Sequence, residues 1–387
     1  MFHCPMLGLI LAGGGARGAY EAGVLRYVFT TLAKRHDINP NPDLISGTSV
    51  GALNGAWVGA RGADGASQLW EFWQKVTIDQ VYNFSAADFL RRPSRWLERT
   101  TEFGEGVGIF DPTPLYRLIR TSVPWEALHA RIDRRELRAF MVSATDVGSG
   151  RTRIFTDGNV RLRRAATSTP TATRIGPEHC LASAAIPFIF PGIRIGGRYF
   201  VDGALRQNTP LSPAVEAGVN RALVIGVKRL KSEEDAPNSS PSPAFLAGKA
   251  LNALLLDPIE ENIRRIDALN ELMRWGQSAY PDFMERLRGE FKPYQIVEHV
   301  FLRPSEDLGR MAADIFARSR DDLPWAVSRL LGSLSGGPDQ KEADLMSYLF
   351  FDHRFTGAVE SLGYEDAARE DEKLAELFTR PPLPRLH

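Results

Sequence analysis

The pentapeptide Gly47-Thr48-Ser49-Val50-Gly51 constrains the fold of this chain more than any other stretch. It lies where the short apolar run 44–46 gives way to a helix-compatible run over 52–58. The two glycines allow a sharp strand-to-helix turn without a Cβ clash, and such a turn lifts the serine out of the sheet. A helix that starts there points its unpaired N–H groups and positive dipole end at the site where an oxyanion would form. The pattern predicts a nucleophile elbow at Ser49, and the alternative is a glycine-flanked serine that caps a helix.

A second unit of strand, glycine loop and helix precedes the elbow. The apolar run 7–12 predicts a strand that is buried on both faces, as in a parallel sheet. It leads into Gly13-Gly14-Gly15-Ala16-Arg17-Gly18, and a run with helical periodicity follows from residue 19. Successive N–H groups in such a loop can hold a phosphate or an oxyanion. Gly13, Gly15 and Gly18 also satisfy the dinucleotide fingerprint G-x-G-x-x-G, so two interpretations compete.

The dinucleotide interpretation requires a second strand that ends in an acidic residue about 20 positions on. Asp37 is at that distance, but it lies in a proline-punctuated turn with no apolar strand before it. The next apolar strand leads to Ser49 instead. We therefore expect the glycine loop and the elbow to be neighbouring turns at the carboxyl edge of one sheet, which is the arrangement that acyl transfer requires.

Serine is a weak nucleophile and needs a group that accepts its proton. One candidate is the strand 199–201, which leads into Asp202-Gly203-Ala204 and places a carboxylate at a strand end. The structural alternative for Asp202 is an Asx turn that stabilises the Asp-Gly bend. Among the seven histidines, His179 is the nearest rival as a base, and its alternative role is that of a polar residue at the start of the small-residue helix 180–186.

The sequence outside these motifs predicts an insertion, a linker and a C-terminal extension around the core. Residues 61–135 are dense in aromatics and read as a cap-like insertion, while 231–243 are polar and proline-rich and indicate a linker. Residues 244–387 are expected to be mostly helical, with one edge strand near 297–302. Within the insertion, the 84–99 region combines aromatics with clustered arginines. This region either contacts a membrane surface or belongs to a helical subdomain whose aromatics fill its own core.

Composition excludes several functional classes. Lys plus Arg and Asp plus Glu both number 47 in the 387 residues, so no net field favours nucleic acid as a partner. Two cysteines cannot build a disulfide framework, and the sequence has no C-x-x-C motif or Cys/His cluster with zinc spacing. No run approaches the roughly 18 apolar residues that span a bilayer, and the run 6–12 reads as a buried strand and not as a signal peptide. We expect a cytoplasmic protein that meets a membrane only from its surface.

The glycine loop, the G-x-S-x-G elbow and the Asp202-Gly203-Ala204 stretch together resemble the patatin-like phospholipase family in type, order and approximate spacing. The flanking stretches 20–25 and 183–188 are similar to bacterial members. The resemblance covers residues 7–228 or so. It implies a three-layer α/β/α sandwich around a mainly parallel sheet, with a catalytic domain over 1–230 that carries the cap-like insertion and is followed by the helical C-terminal extension.

The resemblance also implies roles for individual residues. Ser49 would be the nucleophile and Asp202 its partner in a catalytic dyad, without a metal or organic cofactor. The substrate would be a lipid or another acyl ester. Backbone N–H groups of the glycine loop would form the oxyanion hole, and other glycines would support the motifs. The predicted oxyanion residues are Gly13, Gly14, Gly15 and Arg17, and the supporting residues are Gly18, Gly47, Gly51 and Gly203.

Three interpretations therefore stay open from the sequence. The first is a serine acyl-ester hydrolase acting on lipids. The second is a lipid-binding protein that keeps the pocket without turnover, and the third is a nucleotide-binding oxidoreductase that uses the glycine loop. The Arg17 side chain has two candidate partners, a substrate phosphate or a carboxylate of the protein itself. The oligomeric state has no sequence signature.

Overall fold

The computed structural model describes residues 6–82, 98–101, 104–108, 110–164, 167–229, 259–280, 282–290, 295–334 and 344–379. The strands are β1 (Leu7–Leu11), β2 (Leu44–Thr48), β3 (Glu98–Thr101), β4 (Gly104–Val107), β5 (Ala139–Asp146), β6 (Thr152–Gly158), β7 (Ser168–Ala172), β8 (Ile193–Ile195), β9 (Arg198–Asp202), β10 (Arg221–Ile225) and β11 (Glu298–Leu302). The linker predicted over 231–243 and most of the 84–99 region lie outside the described residues.

The helices of the first half are α1 (Ala19–Arg26), α2 (Ala33–His36), α3 (Val50–Arg61), α4 (Ala63–Lys75), α5 (Ile78–Val81), α6 (Thr113–Ser122), α7 (Trp125–Asp133), α8 (Pro177–Ser183) and α9 (Leu211–Glu216). Those of the C-terminal part are α10 (Ile259–Ala279), α11 (Phe283–Glu290), α12 (Leu308–Ser319), α13 (Trp325–Leu334), α14 (Asp344–Leu349), α15 (His353–Arg369) and α16 (Asp371–Thr379). A π-helical stretch, Tyr27–Leu32, joins α1 to α2.

The main sheet of the described chain runs in the order β11-β10-β1-β2-β5-β6-β7. Neighbours from β11 to β5 are parallel, β6 is antiparallel to β5, and β9 pairs with both β5 and β8. The central strands read as near-continuous apolar runs because helices cover both of their faces. The mainly parallel sheet confirms the predicted fold class.

Alternate residues of each central strand point into two separate hydrophobic layers. Leu9 and Leu11 of β1 belong to a large layer that contains α1, α3 and α15, whereas Ile10 belongs to a smaller layer with α9 and α10. The sheet is thus sandwiched between helices, as expected for three α/β/α layers.

The C-terminal part of the chain packs directly on this core. Strand β11 extends the sheet beside β10, and α15 lies against α1. The backbones of α1 and α15 approach so closely that a Cβ atom on Gly23 would lie 1.9 Å from the carbonyl oxygen of Glu360. The helical C-terminal extension predicted from the sequence is present, and within it α14 and α15 are separated at residues 350–352. Asp352 accepts a hydrogen bond from the backbone N–H of Arg354 and so starts the second helix.

Two further observations concern the dinucleotide interpretation and the possibility of a membrane-spanning helix. Asp37 has a left-handed backbone at the end of α2, so it is a turn residue and not the acidic strand end that the dinucleotide interpretation requires. In the part of the chain that is described, no helix is both long and apolar enough to cross a membrane.

Candidate active site

The register of the sheet brings Ser49 and Asp202 together. At the end of β2, Thr48 pairs with Ser143 of β5, and one residue further along β5, Ala144 pairs with Asp202 of β9. Strand β6 pairs with one edge of β5 at both Ser143 and Ala144. The opposite edge of β5 therefore pairs first with β2 and, just beyond the end of β2, with β9. Ser49 follows Thr48 directly, so the serine and the aspartate are neighbours although they lie far apart in the sequence.

The backbone at Ser49 has the shape of a strained strand-to-helix elbow. Its φ of 54° and ψ of −124° fall in a region that residues with side chains rarely adopt. The turn is tight, since a Cβ atom on Gly47 would lie 2.5 Å from the carbonyl oxygen of Gly51. Gly51 in turn packs against the carbonyl oxygens at the end of β1. A glycine is required at both positions because no side chain fits between these backbones.

Ser183 at the end of α8 holds the strained elbow in place. The backbone N–H of Ser49 donates to the Ser183 hydroxyl oxygen at 2.7 Å, and that hydroxyl donates to the carbonyl oxygen of Ser143 at 2.6 Å. All three residues are buried, so each bond forms away from competing water. The sequence suggested only a small-residue helix here, because this contact is long-range and has no local pattern.

The Asp202 carboxyl group is buried beside Ser49. It is 1 % exposed, and its Oδ1 accepts a hydrogen bond from the backbone N–H of Ala204 at 2.8 Å. Burial raises the pKa of this carboxyl group from 3.8 to about 7, while hydrogen bonds from Ala204 and from the Ser49 side chain act in the opposite direction. The contact with Ala204 is the Asx turn considered as an alternative role. It leaves the carboxylate next to the serine, so the structural and the chemical role are compatible.

The glycine loop presents fewer free amides than the sequence predicted. The Gly13 N–H donates to the Asn208 carbonyl oxygen at 3.2 Å, and the Arg17 N–H donates to the Gly14 carbonyl oxygen at 3.1 Å. These two amides therefore have acceptors within the protein, and the contribution of Gly13 and Arg17 to an oxyanion hole stays a prediction. Within the described chain, no hydrogen bond engages the amides of Gly14 and Gly15, so these two are the loop donors that a developing oxyanion could use.

The side chain of Arg17 contacts the C-terminal part of the protein. Its Nη2 lies 2.9 Å from Oδ1 of Asp344, and its Nε donates to the Ser347 hydroxyl oxygen at 2.8 Å. Of the two partners considered for this arginine, the structure contains the carboxylate. Because the guanidinium is only 2 % exposed and engaged on α14, it does not present its charge to a substrate phosphate.

A second buried polar cluster joins the glycine loop to the helix that follows the elbow. The Asn54 side-chain amide on α3 donates to the Gly18 carbonyl oxygen at 3.0 Å and to Oε2 of Glu21 at 2.8 Å. Its own oxygen accepts a hydrogen bond from Nε1 of Trp73 at 3.1 Å. Burial raises the pKa of the Glu21 carboxyl group well above its ordinary value, while the hydrogen bond from Asn54 acts in the opposite direction.

Ser49 opens into a mainly apolar cavity of about 750 Å³, the open space at its mouth included. Its walls come from the glycine loop, the elbow with α3, the insertion 61–135, the stretch 184–190, and α14 with the residues that follow it. The lining side chains include Leu53, Trp57, Phe72, Trp73, Leu115 and Phe190, with Tyr348, Leu349 and Phe351 from the C-terminal part. The apolar lining of this cavity suits a hydrocarbon chain.

Most described aromatics of the insertion belong to the main hydrophobic layer. Phe72, Trp73 and Tyr82 pack with the core helices and line the cavity, so they do not form a separate core of a small subdomain. The aromatics and arginines of 83–97 lie outside the described residues, and their predicted membrane contact stays a prediction.

His179 is held at the start of α8. Its Nδ1 accepts a hydrogen bond from the Gly176 N–H at 3.1 Å, and its ring packs edge-to-face on Phe155 with a centroid distance of 4.7 Å. The ring is not among the groups that line the cavity at Ser49. His179 thus lies at the start of a helix, which is the alternative role considered for it above.

The chain is similar to several known proteins. The patatin-like phospholipase family model matches residues 9–215. A cGAMP-activated phospholipase of Escherichia coli (strain TW11681) is 26% identical over 217 residues, which are 52% of this chain and 52% of the relative. The matched region thus spans about half the length of that relative. The structure of VipD from Legionella pneumophila aligns with a TM-score of 0.36 at 12% identity, covering 96% of this chain and 67% of VipD.

Proposed function

The chain belongs to the patatin-like phospholipase family, and on that premise we propose that it hydrolyses acyl ester bonds of lipids with Ser49 and Asp202 as a catalytic dyad. Membership supports a hydrolase with a lipid substrate. The single observation that carries the assignment of the dyad is the sheet register, because it places a buried carboxylate beside the serine of the strained elbow.

The first half of the reaction is acyl transfer to the enzyme. The Ser49 hydroxyl oxygen attacks the ester carbonyl carbon while its proton moves to the Asp202 carboxylate. The tetrahedral intermediate carries its negative charge on the former carbonyl oxygen, which the amides of Gly14 and Gly15 would stabilise. Collapse of the intermediate breaks the bond to the alcohol, and the leaving alkoxide takes the proton from Asp202.

The second half releases the fatty acid. A water molecule attacks the acyl-Ser49 carbonyl carbon, and Asp202 accepts its proton. Collapse of the second tetrahedral intermediate returns this proton to the Ser49 oxygen and frees the carboxylic acid. The same two side chains and the same amides therefore serve both halves of the cycle.

The environment of Asp202 supports its role as the base. An aspartate with an ordinary pKa is too weak a base to deprotonate serine efficiently near neutral pH. Burial raises the pKa of this carboxyl group to about 7, which increases its proton affinity while still leaving much of it ionised at neutral pH. The remaining barrier reduction is assigned to the loop amides and to the placement of the substrate.

The acyl chain would lie in the apolar cavity at Ser49, and the head group at its mouth. Diacyl phospholipids, lysophospholipids and neutral glycerolipids all meet this requirement. The buried Arg17 argues against direct recognition of a phosphate by the glycine loop, so head-group preference would arise elsewhere, for example in the insertion 61–135.

The name of the curated relative states that cGAMP activates that protein. We propose the same test for this chain, namely hydrolysis of a phospholipid with and without added cGAMP. Because the match covers only half of each protein, activity that is independent of cGAMP is fully compatible with the proposed dyad.

We further propose that the catalytic unit spans 1–230, that 231–243 link it to the C-terminal part, and that the protein acts in the cytoplasm with peripheral membrane contact through the 84–99 region. Replacing Arg91, Arg92 and Arg95 together is expected to weaken binding to anionic vesicles, with little effect on hydrolysis of a soluble short-chain ester. Unchanged partition between vesicles and buffer would rule out this contact.

Covalent labelling with a fluorophosphonate probe tests the dyad directly. Mass spectrometry is expected to place the label on Ser49, with no label in Ser49→Ala and a slower reaction in Asp202→Asn. Folded wild-type protein that does not react would instead favour the alternative of a lipid-binding protein without turnover. Tight binding of a nicotinamide cofactor would revive the oxidoreductase alternative.

A further inference from the structure

Helix α14 and the two residues after its end form a wall of the site outside the region that matches the family. The family model ends at residue 215, whereas Tyr348, Leu349 and Phe351 line the cavity at Ser49. Phe351 stacks on Trp73 with a centroid distance of 6.2 Å, and the Tyr82 hydroxyl donates to the Leu349 carbonyl oxygen at 2.6 Å. This stretch, residues 344–351, is called the α14 segment below.

The α14 segment also holds the side chain of Arg17 in the glycine loop. The guanidinium contacts Asp344 and Ser347, donates from Nη2 to the Asp344 carbonyl oxygen at 3.2 Å, and lies 4.3 Å from the ring centroid of Tyr348. Several directional contacts to one short helix fix the orientation of a planar guanidinium. The side chain is buried, so solvent does not weaken these contacts.

The backbone of the glycine loop packs against the same segment. Gly15 has a φ of 56°, and a Cβ atom there would lie 2.2 Å from the Tyr348 carbonyl oxygen. Gly15 therefore rests directly on the end of α14, and its amide is one of the two free loop donors. Arg17, two residues further on, fixes the other end of the same turn.

From these contacts we infer that the α14 segment is a positioning element for the oxyanion donors, acting through Arg17. This inference rests on the proposed function, because it concerns the amides that would stabilise the tetrahedral intermediate. Arg17 does not touch the substrate in this arrangement. Its role is to keep the Gly14 and Gly15 amides at the distance and angle that the oxyanion requires, so the site is complete only when the C-terminal part is docked.

The protein contains a matched control for this ion pair. Arg26 on α1 and Glu360 on α15 also join the N-terminal core to the C-terminal part, with Nε 2.6 Å from Oε1 and a Glu360 side chain that is 1 % exposed. This pair does not contact the glycine loop or the cavity. Asp344→Asn and Glu360→Gln each remove one charge and keep the shape of the side chain, so both weaken a buried pair between the same two parts of the chain.

The experiment compares the two variants in the full chain with a soluble short-chain ester. Loss of an oxyanion donor reduces kcat by roughly 10²–10³-fold, so a misplaced pair of donors is expected to lower kcat by at least ~10-fold in Asp344→Asn, with KM within about twofold of wild type. The rate of Ser49 labelling by the fluorophosphonate should fall in parallel. In Glu360→Gln, kcat is expected to stay within about twofold of wild type.

Two further variants keep the outcome decisive if Asp344→Asn does not fold. Ser347→Ala removes the acceptor of the Arg17 Nε hydrogen bond, together with the bond that the hydroxyl donates to the Asp344 carbonyl oxygen. It should lower kcat without loss of the ion pair, and Arg17→Lys keeps the charge but not the planar contacts. Unchanged kcat in these variants, or an equal loss of kcat in Glu360→Gln, would overturn the inference while wild-type labelling still supported the dyad. Wild-type protein that neither labels nor turns over would overturn the proposed function itself.

Discussion

Replacing Asp202 by asparagine is expected to abolish turnover and to stabilise the fold at alkaline pH. The wild-type carboxyl group is buried, and its charged form is penalised in the folded state, which raises its pKa from 3.8 to about 7. At about 1.36 kcal/mol per pKa unit, this rise corresponds to roughly 4 kcal/mol of folding free energy. Since the surroundings relax around a buried charge, we expect Asp202→Asn to gain about 2–4 kcal/mol above pH 7.

Because folding raises the pKa of Asp202, the difference in stability between wild type and Asp202→Asn depends on pH in a defined way. Below about pH 4 the carboxyl group is protonated in the folded and the unfolded chain, so it makes no pH-dependent contribution. Between pH 4 and 7 the unfolded chain releases the proton and the folded chain retains it, so the wild type progressively loses stability relative to the variant. Above pH 7 both states are ionised and the difference stays constant.

Urea unfolding of both proteins at intervals from pH 4 to pH 9 measures this difference, because every other titrating group is shared. Asparagine can still accept the hydrogen bond from Ala204, so the bend at 202–204 is preserved. Two results would refute the reasoning that burial of the Asp202 carboxylate costs stability. One is a difference in unfolding free energy that does not vary with pH. The other is a variant that is less stable than wild type at pH 8.

The remaining predictions concern the same pair of strand ends. For a soluble ester, kcat/KM should rise with pH with an apparent pKa near 7, since Asp202 must be ionised; a limb near pH 4 would contradict a buried base. Ser49→Gly should be more stable than Ser49→Ala by about 1–3 kcal/mol, because glycine tolerates the φ of 54°; equal denaturant midpoints would argue against strain at the elbow. Ser183→Ala should lower the unfolding free energy by about 1–3 kcal/mol and reduce kcat, as the Ser49 N–H and the Ser143 carbonyl oxygen lose their partner; unchanged unfolding and kinetics would exclude the support role.

Features that depend on a few adjacent residues could be predicted from the sequence. A buried parallel strand requires an unbroken apolar run, and a sharp strand-to-helix turn requires glycines at Gly47 and Gly51, so each leaves a local pattern. The order of three local motifs also identified the family. The glycine loop, the Ser49 elbow and the Asp202-Gly203-Ala204 stretch are together more specific than any one of them.

Contacts between distant residues could not be predicted, because they depend on how finished elements pack. The sequence did not indicate that the Gly13 and Arg17 amides are used within the core, since their acceptors depend on the path of the loop. It likewise contained no pattern for Ser183 beneath the elbow.

The sequence by itself determined the strands that lead into the glycine loop, Ser49 and Asp202, the two glycine-rich turns and the chemical identity of the candidate nucleophile and base. Tertiary structure decided that β9 continues the line of β2 and so brings Asp202 to Ser49. It also decided that α14 supports the loop through Arg17. The physical reason is that backbone conformation responds to neighbours along the chain, whereas burial, pKa and hydrogen-bond partners respond to neighbours in space.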